Sequence, residues 1–190
     1  MTIKDLTREL TLIGHDAPPY SEEAITRIAN RALEVIFSEH SVKGEHILEV
    51  DPEKTKTICE KTAHGVAVID LEEQIPDLFS VEEIRSLINR APLDFIEISD
   101  TRLYLPTCFS GELLIVYRKS AEKISSADEE IKIPAHLSPL LPLLAASFAW
   151  AEELPELSEI YSKSYRELSD TIRKEVRKKL SPAYAHNGWA

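Results

Sequence analysis

The side chains best suited to metal binding or nucleophilic catalysis are six histidines and two cysteines. Four of them lie near one another in the sequence: His40, His46, Cys59 and His64. Their spacings match no zinc pattern with paired short gaps. Cys108 lies in the run LPTCFSG, which is more typical of a half-buried strand than of a nucleophile. We therefore expect no metal, no cofactor and no catalytic cysteine.

Carboxylates are numerous, and five pairs of glutamates are adjacent in the sequence. Adjacent residues point to different faces of a helix or strand, so these pairs predict solvated surface rather than acid–base partners. The sequence has no GxSxG, P-loop, GxGxxG or HExxH motif. Five glycines leave little from which to build a phosphate-binding loop. We predict that the protein is not an enzyme.

The composition is acidic, with a formal net charge of −11 over 190 residues. A dedicated nucleic-acid binder needs a basic face, whereas an acidic protein repels DNA and lets it slide past. Two cysteines are too few for a disulfide framework and favour a reducing compartment. The first residues, MTIKDLTREL, lack the apolar core of a signal peptide. We expect a soluble protein that is made in the cytoplasm.

The spacing of apolar residues predicts the elements that would position any site. Steps of three and four predict a short helix over residues 3–13 and a longer helix that Ser21 caps and that ends near His40. Residues 80–89, SVEEIRSLIN, fit either a helix or a strand with a bulge. The region from 42 to 119 otherwise holds six β-rich runs between turn-formers: GEHILEV, KTKTICE, GVAVIDL, DFIEIS, TRLYLP and GELLIVYR.

The stretch from Ile133 to Leu180 is predicted to be a helical hairpin. Its first arm, LLPLLAASFAWA, is apolar all round, which is typical of a buried helix. Pro155 ends this arm, and the second arm carries a single apolar stripe. We therefore predict a single α+β domain. It would be mostly a helical bundle from residues 1–41 and 133–180, with a small antiparallel β-sheet inserted at 42–120 and a tail at 181–190.

The second arm ends in a cluster of basic residues: Arg173, Lys174, Arg177, Lys178 and Lys179. Positive charge is favourable against the dipole at a helix C-terminus, and the same charges would also form a docking surface for an acidic partner. The tail SPAYAHNGWA has two interpretations as well. Terminal tails are often disordered, yet Tyr184 and Trp189 are residue types that dominate binding interfaces.

The order of these segments resembles the head–tail adaptor family of tailed bacteriophages, also called head-completion, connector or tail tubular A-like proteins. The resemblance covers most of the chain. It is carried by loose patterns of apolar residues and turns in four stretches: LIGHDAPPYSEEAITRIANRALEVI, RLYLP, GELLIVYRK and IPAHLSPLLPLLAASFAWAEELPELSEIYSKSYRELSDTI.

The resemblance implies a structural virion protein of the neck, between capsid and tail. Such adaptors form a ring, commonly a dodecamer, that binds the portal protein and a downstream neck or tail protein. Double-stranded DNA passes through the ring without sequence-specific binding, and no membrane is involved. The family's portal contact would fall on residues 173–190, with six candidate residues: Arg173, Arg177, Lys178, Leu180, Tyr184 and Trp189.

Two other functions fit the same residues. One is a cellular α+β module that binds another protein through the hairpin. The other is a phage cell-wall hydrolase, which needs a cleft with two carboxylates at a usable separation.

Overall fold

The computed structural model describes residues 1–14, 20–51, 59–61, 66–87, 97–99, 101–106 and 110–180. The chain divides into two compact units, one formed by residues 1–40 with 123–190 and the other by 41–122. The described part of the first unit holds helices α1 (Ile3–Gly14), α2 (Glu22–His40), α3 (Leu140–Ala149) and α4 (Pro155–Leu180). The second unit holds strands β1 (Lys43–Val50), β2 (Cys59–Lys61), β3 (Val66–Asp70), β4 (Leu78–Ser86), β5 (Glu97–Ser99), β6 (Arg102–Pro106) and β7 (Gly111–Lys119).

Side chains cap the first two helices. At the start of α1, the Asp5 backbone N–H donates to Thr2 Oγ1 over 3.2 Å, and the Thr2 backbone N–H donates to Asp5 Oδ2 over 2.9 Å. This reciprocal pair satisfies backbone donors that the helix itself leaves unpaired. Ser21 caps α2, since its Oγ accepts a hydrogen bond from the Ala24 backbone N–H at 3.3 Å. The sequence predicted this second cap.

Helix α3 lies at the centre of the helical unit, in contact with each of the other three helices. Eight of its ten residues are buried, as its uniformly apolar sequence requires. Trp150 follows it and packs edge-on against Tyr20, with the ring centroids 6.5 Å apart. Because α3 is covered by its neighbours, each neighbour needs only one apolar stripe against it, and the outer faces are mainly polar, with exposed apolar exceptions such as Leu12 and Ile160.

The β unit consists of two antiparallel sheets. One has the strand order β1-β7-β4 and the other β2-β3-β6-β5. A shared core of 11 buried residues joins side chains from both sheets, including Leu48 and Ile115 from the first and Ile69 and Leu103 from the second. This unit therefore has a hydrophobic core of its own.

The segment that fitted either a helix or a strand is a strand over residues 80–86, and Leu87 follows in a turn. Strand β4 pairs with β7, and its register shifts between Leu78 and Ser80 and again between Val81 and Glu83. Each irregularity adds a residue to one strand, which breaks the simple alternation of apolar and polar positions. This explains why the sequence also fitted a helix. Residues 88 and 89 lie outside the described part.

The prediction of a mostly helical bundle with one small inserted sheet is wrong. The protein is a mixed α+β fold, with four helices and two antiparallel sheets in the part of the chain that the structure describes. The six β-rich runs overlap β1, β2, β3, β5, β6 and β7. The error lay in their pairing, because alternation within a run does not determine which strands pair or how many sheets they form. With seven strands around their own core, the region is too large to be a minor addition to a bundle.

Candidate functional site

Of the four residues His40, His46, Cys59 and His64, the structure describes the side chains of the first two. Among the described residues, no group of three or more His, Cys, Asp or Glu side chains is arranged to hold a metal ion. His40 and His46 lie in different units, on α2 and β1. The side chain of Cys59 and all of His64 and Cys108 lie outside the described part of the chain.

The best-defined polar cluster fastens α4 to the end of α2. Glu39 Oε2 accepts two hydrogen bonds of 2.9 Å, one from Tyr165 Oη and one from Arg173 Nη2. Arg173 also lies 3.6 Å from Asp170 Oδ1. Tyr165 is buried, and this burial together with the bond to Glu39 raises the pKa of its hydroxyl well above the ordinary value. The bond from the buried Tyr165 is the stronger part of this cluster, because the Glu39 and Arg173 side chains are both more than a third exposed and their ion pair is screened by solvent.

His40 forms a second link between the same two helices. Its Nε2 atom lies 3.0 Å from Ser169 Oγ, and Ser169 is buried. Burial lowers the pKa of His40, and the nearby positive charge of Arg173 acts in the same direction. The imidazole is therefore held neutral over a wider pH range than in a peptide.

The predicted interface residues fall into three groups. Arg173 is described, and its guanidinium is engaged by Glu39 and Asp170. Three others lie in the last turn of α4, where only the helix itself is described: Arg177, Lys178 and Leu180. Tyr184 and Trp189 lie outside the described residues. The structure therefore fixes where this basic segment begins, at the Glu39 cluster.

The sequence analysis missed an apolar surface at the turn between α3 and α4. Leu154 is 46% exposed and Ile160 is 59% exposed. They border an open cavity of about 430 Å³ whose walls are Leu154, Pro155, Glu156, Leu157 and Ile160. The single apolar stripe predicted for the second arm counts Ile160 among its members, because Ile160 follows Leu157 by three residues. In the structure Ile160 lies on a different face of α4 from the buried Tyr165, Ser169 and Ile172.

Within the part of the chain that is described, no helix combines the length and apolar character needed to cross a bilayer. No protein-family model matches this chain, and no curated protein matches it at a significant level.

Proposed function

We propose that this chain is a structural adaptor of the bacteriophage neck, which forms a ring, joins the portal to the tail and continues the DNA channel. The observation that carries the proposal is the fastening of α4 to α2 through Glu39, Tyr165 and Arg173. From that point α4 continues to Leu180, about 10 Å further at 1.5 Å per residue. A basic segment that begins at this contact between α4 and α2, followed by a tail with Tyr184 and Trp189, suits an anchor that docks into a larger assembly.

The charge of the chain suits the remainder of this role. At −11, the formal net charge makes a ring of these subunits repel the DNA phosphates. DNA would then pass through without being held, and without sequence-specific contacts. Ring formation requires a head-to-tail interface whose rotation closes, for which a dodecamer is the expected size. The protein would be made in the host cytoplasm and end in the virion, with the portal and a downstream neck or tail protein as partners and no membrane contact.

The first experiment compares the mass of the purified chain alone with its mass after mixing with the portal protein encoded beside it, by sedimentation velocity. We expect a stoichiometric complex that negative-stain electron microscopy shows as a ring on the portal. Deletion of residues 181–190 should abolish this complex without changing the circular dichroism spectrum. Tyr184→Ala with Trp189→Ala, at full length, should weaken it. Unchanged portal affinity in the truncated chain would reject the tail as the anchor.

The alternative of a cellular interaction module is favoured by the exposed apolar surface at Leu154 and Ile160. Such a module would form a small defined oligomer and would bind no portal protein, so the same sedimentation experiment distinguishes the two functions.

We also propose that the role is structural rather than catalytic. A cell-wall hydrolase requires two carboxylates across a cleft. The cavity beside Leu154, as far as its walls are described, contains one acidic residue, Glu156. A lytic assay on purified peptidoglycan tests this: release of soluble fragments would contradict the proposal.

A further inference from the structure

The turn between α3 and α4, with the first turn of α4, forms what we call the acidic corner, residues 152–160. Its exposed apolar centre is Leu154 and Ile160, beside the open cavity. Four glutamates lie in the same segment, which contains no basic residue, so its formal charge is −4. All four of these side chains are exposed: Glu152, Glu153, Glu156 and Glu159.

The opposite end of the same helix has the complementary character. We call residues 173–180 the basic end. It contains five basic residues and one acidic residue, which gives a formal charge of +4. Val176, within it, is 38% exposed. The acidic corner and the basic end therefore carry formal charges of opposite sign and equal magnitude, and each has an exposed apolar side chain.

The helix dipole alone does not account for both ends. It favours glutamate near the N-terminus of α4 and lysine or arginine near the C-terminus. It gives no reason for Leu154, Ile160 and Val176 to be exposed at the same two places. Exposed apolar side chains among charged residues are the usual composition of a docking surface. The apolar centre is buried on binding, and the charges of the polar rim determine which partner binds.

The two ends cannot meet within one molecule. Helix α4 has 26 residues and is therefore about 39 Å long. Ile160 and Val176 are separated by about 24 Å along a single rigid helix. A contact between the acidic corner and the basic end therefore requires two molecules.

We propose that the acidic corner of one copy binds the basic end of a second copy in a head-to-tail contact. Such a contact uses different surfaces on the two partners, so a bound pair still offers one free corner and one free end. The contact closes into a ring or extends as a filament. It deepens the proposed function by naming the subunit contact of the ring: the basic end binds the neighbouring subunit, and the tail, residues 181–190, is left for the portal. It rests on that function only for closure, because the contact itself forms without a portal.

Two variants each disable one side of the contact. Ile160→Arg places a positive charge in the apolar centre of the corner. Lys174→Gln with Val176→Ser and Lys178→Gln lowers the formal charge of the basic end from +4 to +2 and replaces its exposed valine by a polar residue. Matched controls place the same changes elsewhere: Ile47→Arg on the β unit, where Ile47 is 54% exposed, and Lys163→Gln with Arg166→Gln at exposed positions of α4. Leu154→Arg is a second corner variant should Ile160→Arg fold poorly.

Sedimentation velocity of the full chain over a concentration series is the readout. The wild-type chain should self-associate, more weakly as salt rises because the rim charges are screened. Each variant should weaken self-association by about tenfold or more, the usual effect of disabling the centre of an interface. The controls should behave like the wild type.

The decisive sample is an equimolar mixture of Ile160→Arg and the triple variant of the basic end. It retains one working corner and one working end on different molecules, so it should form a 1:1 heterodimer that does not grow. A mixture that forms no heterodimer overturns the proposal. So does a wild-type chain that stays monomeric up to about 1 mM, the range of a very weak complex. Loss of portal binding with self-association intact would reject the neck role and leave this contact standing.

Discussion

Replacement of Gly44 by alanine is expected to destabilise the β unit, although alanine is normally the better strand residue. Gly44 lies on β1 directly opposite Tyr117 on β7. A Cβ atom at position 44 would lie 2.5 Å from Tyr117 Cζ and 2.7 Å from its hydroxyl oxygen. The optimum separation of nonbonded carbon atoms is about 3.5–4.0 Å. The ring must therefore move by about 1 Å to admit a single methyl group.

Tyr117 has little freedom to make that movement. Its side chain is 5% exposed, and its hydroxyl donates a hydrogen bond of 2.9 Å to Asp77 Oδ1. Overpacking of this kind costs about 1–3 kcal/mol. The gain from replacing glycine within a strand is about 0.5–1 kcal/mol. We therefore expect Gly44→Ala to lower the free energy of unfolding by about 1–2 kcal/mol.

The assay is equilibrium unfolding in urea followed by far-UV circular dichroism, with the slope of the transition checked for constancy. A double-mutant cycle with Tyr117→Leu tests the cause, because leucine removes the ring that the new methyl group meets. The other close atom, Lys119 Cε at 2.7 Å, belongs to the far end of a flexible side chain and can move aside. In that background Gly44→Ala should be neutral or stabilising. If Gly44→Ala is neutral or stabilising in the wild-type background, the close approach of β1 to Tyr117 is wrong.

Three further predictions concern the helical unit, each measured by urea unfolding. Tyr165→Phe should make the loss of stability above about pH 10 shallower, because the raised pKa keeps the folded hydroxyl protonated while the unfolded one ionises; an unchanged alkaline slope would contradict this. His40→Asn should reduce the loss of stability as pH falls below about 6.5, because the lowered pKa leaves the folded imidazole neutral while the unfolded one gains a proton; identical acid limbs would count against it. Ser21→Ala should cost about 1 kcal/mol through loss of the α2 cap, with Ser162→Ala on α4 as the control; equal effects would deny the cap.

The helices were predictable from sequence because their signal is local. A buried helix such as α3 is indicated by an unbroken apolar run, and Ser21 indicates the start of α2 because serine is a common helix cap. Both depend only on neighbours within one or two turns.

The sheets were less predictable because strand pairing is not local. Strand β7 pairs with β1 and with β4, although 60 residues separate the end of β1 from the start of β7. The pattern of apolar and polar residues within GELLIVYR predicts a strand but does not indicate which two strands pair with it. The irregular register of β4 removed even the alternation.

The interaction surfaces were predictable in part. The basic end can be recognised in the sequence as a cluster of charged residues. Arg173, one of the predicted interface residues, contacts Glu39 in the structure. The acidic corner was missed because exposure of Ile160 depends on which face of α4 its neighbours cover. The roles of Tyr184 and Trp189 stay predictions.

The strand order β1-β7-β4 also has a consequence for synthesis. The central strand of this sheet is the last of its unit to leave the ribosome, so β1 and β4 must wait for it with their backbone groups unpaired. At 5–20 residues per second, β1 waits about 3–12 s between completion of Val50 and arrival of Gly111. During that interval both strands can pair with the same strands of another nascent chain. Slower translation between β1 and β7 should therefore increase aggregation of this protein, while the finished chain, with β7 in place, is no less stable.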